Sequence, residues 1–441
     1  MAEKIRVGIA GFGTVGSGVA KIILENADAI EARTGIRLEL ARVVDLDTTT
    51  KRAVELPAGM LVDNISAILD DESIDIAVEL IGGTDFAREL VVKMLGNGKH
   101  VVTANKALLA KHGSELYTAA RENNKCIAFE ASCGGGIPII SAIRTGLAAN
   151  NIRGLYGILN GTCNYILTSM TNEGVDFAEV LKDAQDKGYA EADPTLDING
   201  GDTAHKLAIL GSLAFGAQIE LEDIHVEGIE NIKLTDIQYG CEMGYVLKLL
   251  AIGERSKSGK ISLRVHPSFL SKDSQLGRVD GSFNAVSIFG DSVGHTMYYG
   301  RGEGMMPTAS AVVADIIEVA MGNSANLFNA QRVKSREETI ASLESMDNVV
   351  SRYYIRLLAK DVPGTVAKYA EILGDNGISI SGVLQHEEHN VGTSVGVIVT
   401  THPAEESKIN AAIKTIKELD VIDGEPVCIR IAAIPEDDLD D

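Results

Sequence analysis

The chain has 441 residues, 45% of them hydrophobic, enough to bury a large core and to divide into roughly two to four domains. A formal net charge of -22, with no basic stripe and interleaved aromatics, argues against nucleic acid as a partner. No run of about eighteen apolar residues occurs and the opening MAEKIRVGIAGFG enters a strand pattern at once, so no membrane partner and no secretory leader are expected, and the cytoplasm is the expected location.

In chain order, short apolar runs at residues 5–10, 38–44, 76–81 and 100–103 alternate with helical spacing at 15–33 and 86–96, which predicts βαβ units and a doubly wound parallel sheet of Rossmann type. Directly after the first run, Gly11, Gly13 and Gly16 form GxGxxG at the start of a helix. The first glycine permits the tight turn, the second lets the backbone approach a pyrophosphate, and the third lets the helix pack on the sheet. A merely structural glycine turn is the alternative, and the strand and helix context favours a dinucleotide. Asp45 and Asp47 are available for the ribose hydroxyls, unless they are solvent-facing loop acids. No arginine stands at the strand tip to take a 2′-phosphate, so NAD is favoured over NADP, with Arg42 and Arg52 leaving NADP open. Lys106, in VVTANKALLA, follows a parallel strand, where open α/β sheets place their chemistry; a surface lysine at a helix start is the alternative.

The stretch FEASCGGGIP puts Glu130 at a strand end before three glycines. Its carbonyls could ligate a hard monovalent cation, but the residues alone favour a tight interdomain hinge. From about Ile139 an α+β substrate and dimerisation domain is predicted, with strands at 154–159 and 286–289 and helices at 177–187, 202–215 and 241–251. Within it, GYAEADPTLDINGGDTAHK gathers Glu191, Asp193, Asp197 and Asp202 before a helix and ends on Lys206. Ala204, Leu207, Ala208, Gly211 and Phe215 share one face of that helix, and Asp202 and Lys206 lie one turn apart on another. A pair at this spacing is ordinarily a surface ion pair. Three preceding carboxylates point instead to a pocket for a small cationic molecule, with a proton donor at its floor. Two lysines near a nicotinamide suit carbonyl reduction, because an ammonium can stabilise and protonate the alkoxide that forms as hydride arrives.

After GRGEGMM, a helix from about Thr308 is expected to return to the first domain. Residues 323–350 have the polar, weakly periodic character of a connector. A βαββαβ order follows, with strands at 353–359, 378–385, 391–399 and 427–431 and helices around Val366 and over 404–419; this is a ferredoxin-like unit. The expected domains are 1–138 with a return helix at 300–325, 139–299, a linker at 326–350, and 351–441. His386 and His389, in HEEHN, read as a solvated turn rather than a metal site, and the tail EDDLDD as disordered. The five cysteines, Cys126, Cys133, Cys163, Cys241 and Cys428, are odd in number and form no CxxC, so neither disulfides nor a structural zinc site is expected.

With these segments in hand, the chain resembles a homoserine dehydrogenase with a C-terminal ACT domain, over nearly its whole length. GYAEADPTLDINGGDTAHK is the most specific match; GFGTVGSGV, TANKA, EASCGGGIP, NGTCNYIL and PTASAVVADI follow the family's order. The resemblance implies reversible NAD(P)-dependent interconversion of L-aspartate 4-semialdehyde and L-homoserine, on the way to threonine and methionine. It implies Lys206 as proton donor, Lys106 beside cofactor and substrate, and Asp202 within the catalytic group. Glu191 would bind homoserine, with Asp197, Asp202 and Tyr189 completing that wall and Gly161 and Thr162 facing it. Gly11, Phe12, Gly13, Thr14, Val15, Gly16, Asp45, Lys106 and Gly304 would hold the cofactor. Glu130, Cys133, Gly135 and Ile137 align with sodium ligands, mostly through carbonyls. Homoserine's α-ammonium could pair with Glu191 and Asp197 in a desolvated cleft. The family also implies a homo-oligomer, a dimer or tetramer, and threonine as an effector at the ACT turn over 361–364. Two departures stand out: Val44 replaces an arginine associated with the 2′-phosphate, and the loop usually written GPGAG reads GRGEG, with Arg301 and Glu303 altering local charge.

Overall fold

Strands buried on both faces, alternating with amphipathic helices, build a parallel sheet in the first third of the chain. The computed structural model describes residues 3–330, 343–386 and 394–435. Strands β1 (Glu3–Ala10), β2 (Ile36–Val44), β3 (Leu61–Val62), β4 (Ile76–Glu79), β5 (His100–Thr103) and β6 (Ile127–Ala128) pair in parallel in the order β3-β2-β1-β4-β5-β6. Helices α1 (Thr14–Thr34), α2 (Ser66–Leu69), α3 (Asp85–Gly96) and α4 (Lys106–Glu122) cross between them. The strand order reverses between β1 and β4, the crevice where such sheets take their ligands.

The second region supplies α5 (Ile139–Ser141), β7 (Ile152–Ile158), α6 (Gly161–Glu173), α7 (Phe177–Asp186), α8 (Thr195–Ile198), α9 (Gly201–Phe215), β8 (His225–Val226), α10 (Leu234–Glu242), β9 (Tyr245–Arg255), β10 (Ile261–Ser271), β11 (Phe283–Gly290) and β12 (Gly294–Arg301). Its main strands lie in the order β12-β11-β7-β9-β10, with α6 and α9 packed on the sheet. The helix expected over 241–251 is corrected here: α10 stops at Glu242, and Tyr245–Arg255 is the strand β9. Residues 247–253 of β9 are buried on both faces: Leu247, Leu249 and Ala251 join the core on the side of α6, α9 and α10, and Leu250 and Ile252 join a second cluster with Leu276 and Val279. Apart from Lys248 this run is apolar, and it has no period that separates strand from helix. The return helix is seen: α11 (Met305–Ala320) packs on α1 at Gly18, where a Cβ would lie 2.9 Å from the Ala309 side chain. Helix α12 (Asn323–Ala330) runs into the expected connector, whose residues 331–342 lie outside the described residues.

The C-terminal unit has the expected βαββαβ order: β13 (Val350–Lys360), α13 (Thr365–Asp375), β14 (Ile380–Gln385), β15 (Ser394–Thr401), α14 (Glu406–Lys417) and β17 (Val427–Ile431), with a short β16 (Ala404–Glu405) paired to β13. Val391 and Thr393 of the expected third strand, His389 and the acidic tail lie outside the described residues. One feature was not predicted. Strand β17 pairs in parallel with β10, Ser268 opposite Arg430 and Phe269 opposite Ile431, so the second and third regions share one continuous sheet. Among the described residues the cysteines are free, and no single helix is long and apolar enough to cross a membrane.

Candidate active site

Gly11 follows β1 with φ +99°, and a Cβ there would lie 2.4 Å from the Leu80 carbonyl oxygen; one at Gly16 would lie 2.0 Å from the Gly11 carbonyl oxygen. Both positions therefore exclude any side chain. At Gly13, just before α1, a Cβ would meet nothing within 4 Å, so the space a pyrophosphate needs is open beside the helix N-terminus. Phe12 lies within this turn, and Thr14 and Val15 open α1 directly after it. Asp45, beyond β2, accepts the Phe12 amide (2.5 Å) and the Asp47 amide (2.9 Å). Arg52 caps the turn from the other side, donating to the Phe12 carbonyl (2.8 Å) and pairing with Asp47 (3.1 Å). Gly16→Ala is expected to weaken NAD(P) binding by at least about tenfold, roughly 1.4 kcal/mol, in a cofactor titration.

Lys106 opens α4 immediately beyond β5, at the strand ends that face the crevice. The loops there are tied by Glu79, the last residue of β4, which accepts the Thr103 hydroxyl (2.6 Å) and the amides of Ile81 (3.0 Å) and Gly82 (3.3 Å). Burial pushes the Glu79 carboxyl up, with those hydrogen bonds opposing it. Glu79 was not singled out by sequence; its one signal is an acid ending an otherwise apolar strand.

Helix α9 brings Asp202 and Lys206 to the same place. Lys206 Nζ donates to Asp202 Oδ2 (2.7 Å) and to the Leu159 carbonyl (2.6 Å), and Glu303, next to Gly304 at the start of α11, lies 3.8 Å away. Lys106 Nζ pairs with the other oxygen, Asp202 Oδ1. The Lys206 and Asp202 side chains are only 3% and 1% exposed. Burial opposes charge on both groups. For Asp202, Lys206 and then Lys106 outweigh burial and hold the carboxyl below the usual carboxylate range; for Lys206, Asp202 and then Glu303 outweigh it and hold the ammonium above the usual lysine value. Lys206 is therefore a charged donor throughout the neutral range.

Asn160, which residue spacing alone does not single out, joins Asp197 to this cluster. Standing before α6, it donates 2.8 Å bonds to Asp197 Oδ1 and Asp202 Oδ2 and accepts the Cys163 amide (2.7 Å). Its signal was an N-cap asparagine ahead of Gly161 and Thr162. Thr162 donates to the Tyr189 carbonyl (2.6 Å), and the Tyr189 ring packs on Tyr165 with centroids 4.6 Å apart. Burial raises the Asp197 carboxyl, Asn160 opposes, and Asp202 and Glu303 add to the rise. Glu191 is exposed on the loop before α8; among the described residues no hydrogen bond or ion pair ties its carboxylate to the cluster. Asp193 is a local turn acid, accepting the Thr195 amide (3.1 Å) and hydroxyl (2.6 Å).

The glycine turn after β6 has a different use for Glu130 than a side-chain ligand. Its carboxylate accepts the Ile140 (2.7 Å) and Ser141 (2.8 Å) amides, and its own amide donates to Asp315 (2.7 Å). A Cβ on Gly135 would lie 2.3 Å from the Gly302 carbonyl oxygen, so this turn lies against the loop that carries Glu303 and Gly304. Cys133 and Ile137 are buried within it. His386 bonds Glu242 (2.9 Å), and no group of three metal-ligating side chains occurs among the described residues.

Glycines that leave room for a pyrophosphate, with a buried lysine held charged at the same edge of the sheet, are what hydride transfer at a carbonyl requires; in class the protein is an NAD(P)-dependent oxidoreductase. The family described as "Homoserine dehydrogenase, NAD binding domain" matches residues 11–130, "Homoserine dehydrogenase" matches 138–317 and "ACT domain" matches 353–421. The chain belongs to the homoserine dehydrogenase family. It is 41% identical over 437 residues to the homoserine dehydrogenase of Neisseria gonorrhoeae, covering 98% of this chain and 99% of that one. It is 42% identical over 435 residues to that of Pseudomonas aeruginosa, covering 97% and 99%. The crystal structure of a homoserine dehydrogenase from Thiobacillus denitrificans superposes with a TM-score of 0.90 at 43% identity over 98% of both chains.

Proposed function

We propose that the protein interconverts L-aspartate 4-semialdehyde and L-homoserine, with Lys206 as the group that protonates the aldehyde oxygen. The observation that carries this reading is a lysine 3% exposed and paired with Asp202 at 2.7 Å. A bound nicotinamide supplies the hydride to the carbonyl carbon. The residues of the chain do the rest. Lys206 Nζ gives its proton to the oxygen as negative charge gathers there, and Lys106, sharing Asp202, adds a second positive charge to the same region. The wall of Glu191, Asp197 and Tyr189, with Gly161 and Thr162 opposite, receives the α-ammonium, and Asn160 fixes Asp197 for that contact.

This assignment has a pH consequence. Asp197 pairs with an ammonium only when ionised, and its carboxyl is raised above the usual value. The KM for homoserine is expected to rise as pH falls through that raised value, and Asp197→Asn to abolish this acid limb. Steady-state assays across the acid range decide it.

NAD is the favoured cofactor on two grounds: Asp45 lies where a 2′-phosphate would be repelled, and Arg52 is engaged by Phe12 and Asp47. A monovalent cation such as sodium suits the carbonyls of Glu130, Cys133, Gly135 and Ile137, since the Glu130 carboxylate is taken by two amides. It would brace the glycine turn against the loop of Gly304. In the ACT unit, the turn over 361–364 opens α13 beside the exposed side chains of Leu358, Val362 and Val366, a place for threonine as feedback effector. The domain limits given by sequence, a cytoplasmic homo-oligomer and a role in threonine and methionine synthesis complete the proposal. Assaying homoserine oxidation with NAD against NADP, with and without threonine, tests it: faster turnover with NADP overturns the cofactor choice, and indifference to threonine overturns the effector.

A further inference from the structure

We propose that Arg430, in the C-terminal unit, is a positioning residue for the reaction: through Glu227 it holds the segment that seats α9, and so fixes where Asp202 and Lys206 stand. Arg430 lies on β17 and is 7% exposed. Its guanidinium grips Glu227 with both terminal nitrogens, Nη1 to Oε2 and Nη2 to Oε1, each 2.9 Å. The same guanidinium donates from Nε to Glu406 Oε2 of α14 (2.9 Å), which also accepts the Tyr353 hydroxyl of β13 (2.7 Å). A planar fork filled on two sides allows little freedom. His225 bonds the Glu227 carboxylate as well (2.6 Å).

Glu227 belongs to a strut only a few residues long. Its amide donates to the Val265 carbonyl of β10 (2.8 Å), and the Ile229 amide donates to the Ile198 carbonyl at the end of α8 (2.7 Å). Between them, a Cβ on Gly228 would lie 2.3 Å from the Ile198 oxygen and 2.5 Å from Asn199 Cα. Gly200, left-handed at φ +85°, precedes α9, and a Cβ there would lie 3.0 Å from Val226 and 3.3 Å from the Glu227 carbonyl oxygen. Residues 226–229 thus clasp the turn over 198–200. Asp197 lies just before that turn, and Asp202 is the second residue of the helix that leaves it. A sub-ångström shift of the strut moves the N-terminus of α9, and with it the carboxylate that aligns both lysines. Proton delivery from a fixed donor tolerates such shifts poorly.

The inference rests on Asp202 and Lys206 being the reacting pair. It is tested in the full-length protein with Arg430→Met, Arg430→Lys and Glu227→Gln, measuring kcat, the KM for homoserine and for NAD(P), and the melting temperature. Arg430→Met is expected to lower kcat by about ten- to a hundredfold with the NAD(P) KM unchanged. Arg430→Lys should recover part of the loss. The double variant Arg430→Met/Glu227→Gln should lose no more than the worse single, because both act through one contact. A folded Arg430→Met enzyme with wild-type kcat, whatever its melting temperature, overturns the proposal, as do losses that simply add. Should Arg430→Met fail to fold, the nearly isosteric Glu227→Gln makes the same test, and wild-type kcat in that variant is equally fatal. Normal turnover by Lys206→Ala would instead overturn the reading of the reacting pair.

Discussion

Lys206→Ala lowers the rate of homoserine turnover by on the order of 10²- to 10⁴-fold and leaves NAD(P) binding close to wild type. The size is that of losing a general acid, the role proposed for Lys206, together with the charge that would meet the alkoxide. The selectivity follows from position: Lys206 Nζ bonds Asp202 and the Leu159 carbonyl, whereas the glycine turn is held by Asp45 and Arg52. The variant is expected to fold. Asp202, though 1% exposed, keeps Lys106 and the Asn160 amide as partners, so no buried charge is stranded. Steady-state kinetics beside a cofactor titration reads both outcomes. A variant with normal kcat would remove Lys206 from the chemistry, and one that had lost cofactor binding would mean the side chain supports the nucleotide site.

Arg356→Met destabilises the protein by about 3–5 kcal/mol, read from its urea midpoint. Arg356 on β13 clasps Asp236 of α10 with Nε to Oδ1 at 2.6 Å and Nη2 to Oδ2 at 3.1 Å, and the Tyr354 hydroxyl adds a 3.0 Å bond to Oδ1. This contact joins the C-terminal unit to the second region. The hydrogen bond to Asp236 raises the Arg356 guanidinium further, against a smaller opposing effect of burial. Removing the arginine leaves Asp236, with a side chain 1% exposed, bonded only to the tyrosine. Replacing both partners with apolar residues, as in Arg356→Met/Asp236→Leu, should recover part of the loss, because the stranded charge disappears with its partner while the buried Tyr354 hydroxyl loses its acceptor. A single variant as stable as wild type would show that the pair is effectively solvated.

Much of the fold was legible because its signals are local. GxGxxG after a strand requires close approaches at Gly11 and Gly16, and both are found. The apolar face of Ala204, Leu207, Ala208 and Phe215 is buried as its spacing predicts. Strand β9 was read as helix because it is buried on both faces and shows no alternation. The parallel seam of β17 on β10 had no local signal at all, since it joins strands far apart in the chain. The site divides in the same way. Asp202 and Lys206, one turn apart, could be paired on sequence alone, but Asn160 acquires its role only when the loop before α6 meets α8 and α9. Arg430 and Glu227 are 203 positions apart and invisible to any reading of spacing. Asp193 misled for the opposite reason: its acid resembled those of the cluster, but a turn two residues long consumes it.

The most direct measurement of the central claim is a crystal structure of the enzyme with homoserine and oxidised cofactor bound. The account predicts Lys206 Nζ within about 3 Å of the homoserine hydroxyl oxygen, still bonded to Asp202, with the α-ammonium against Asp197. A homoserine hydroxyl facing water or another donor, with Lys206 sealed behind Asp202, would contradict it.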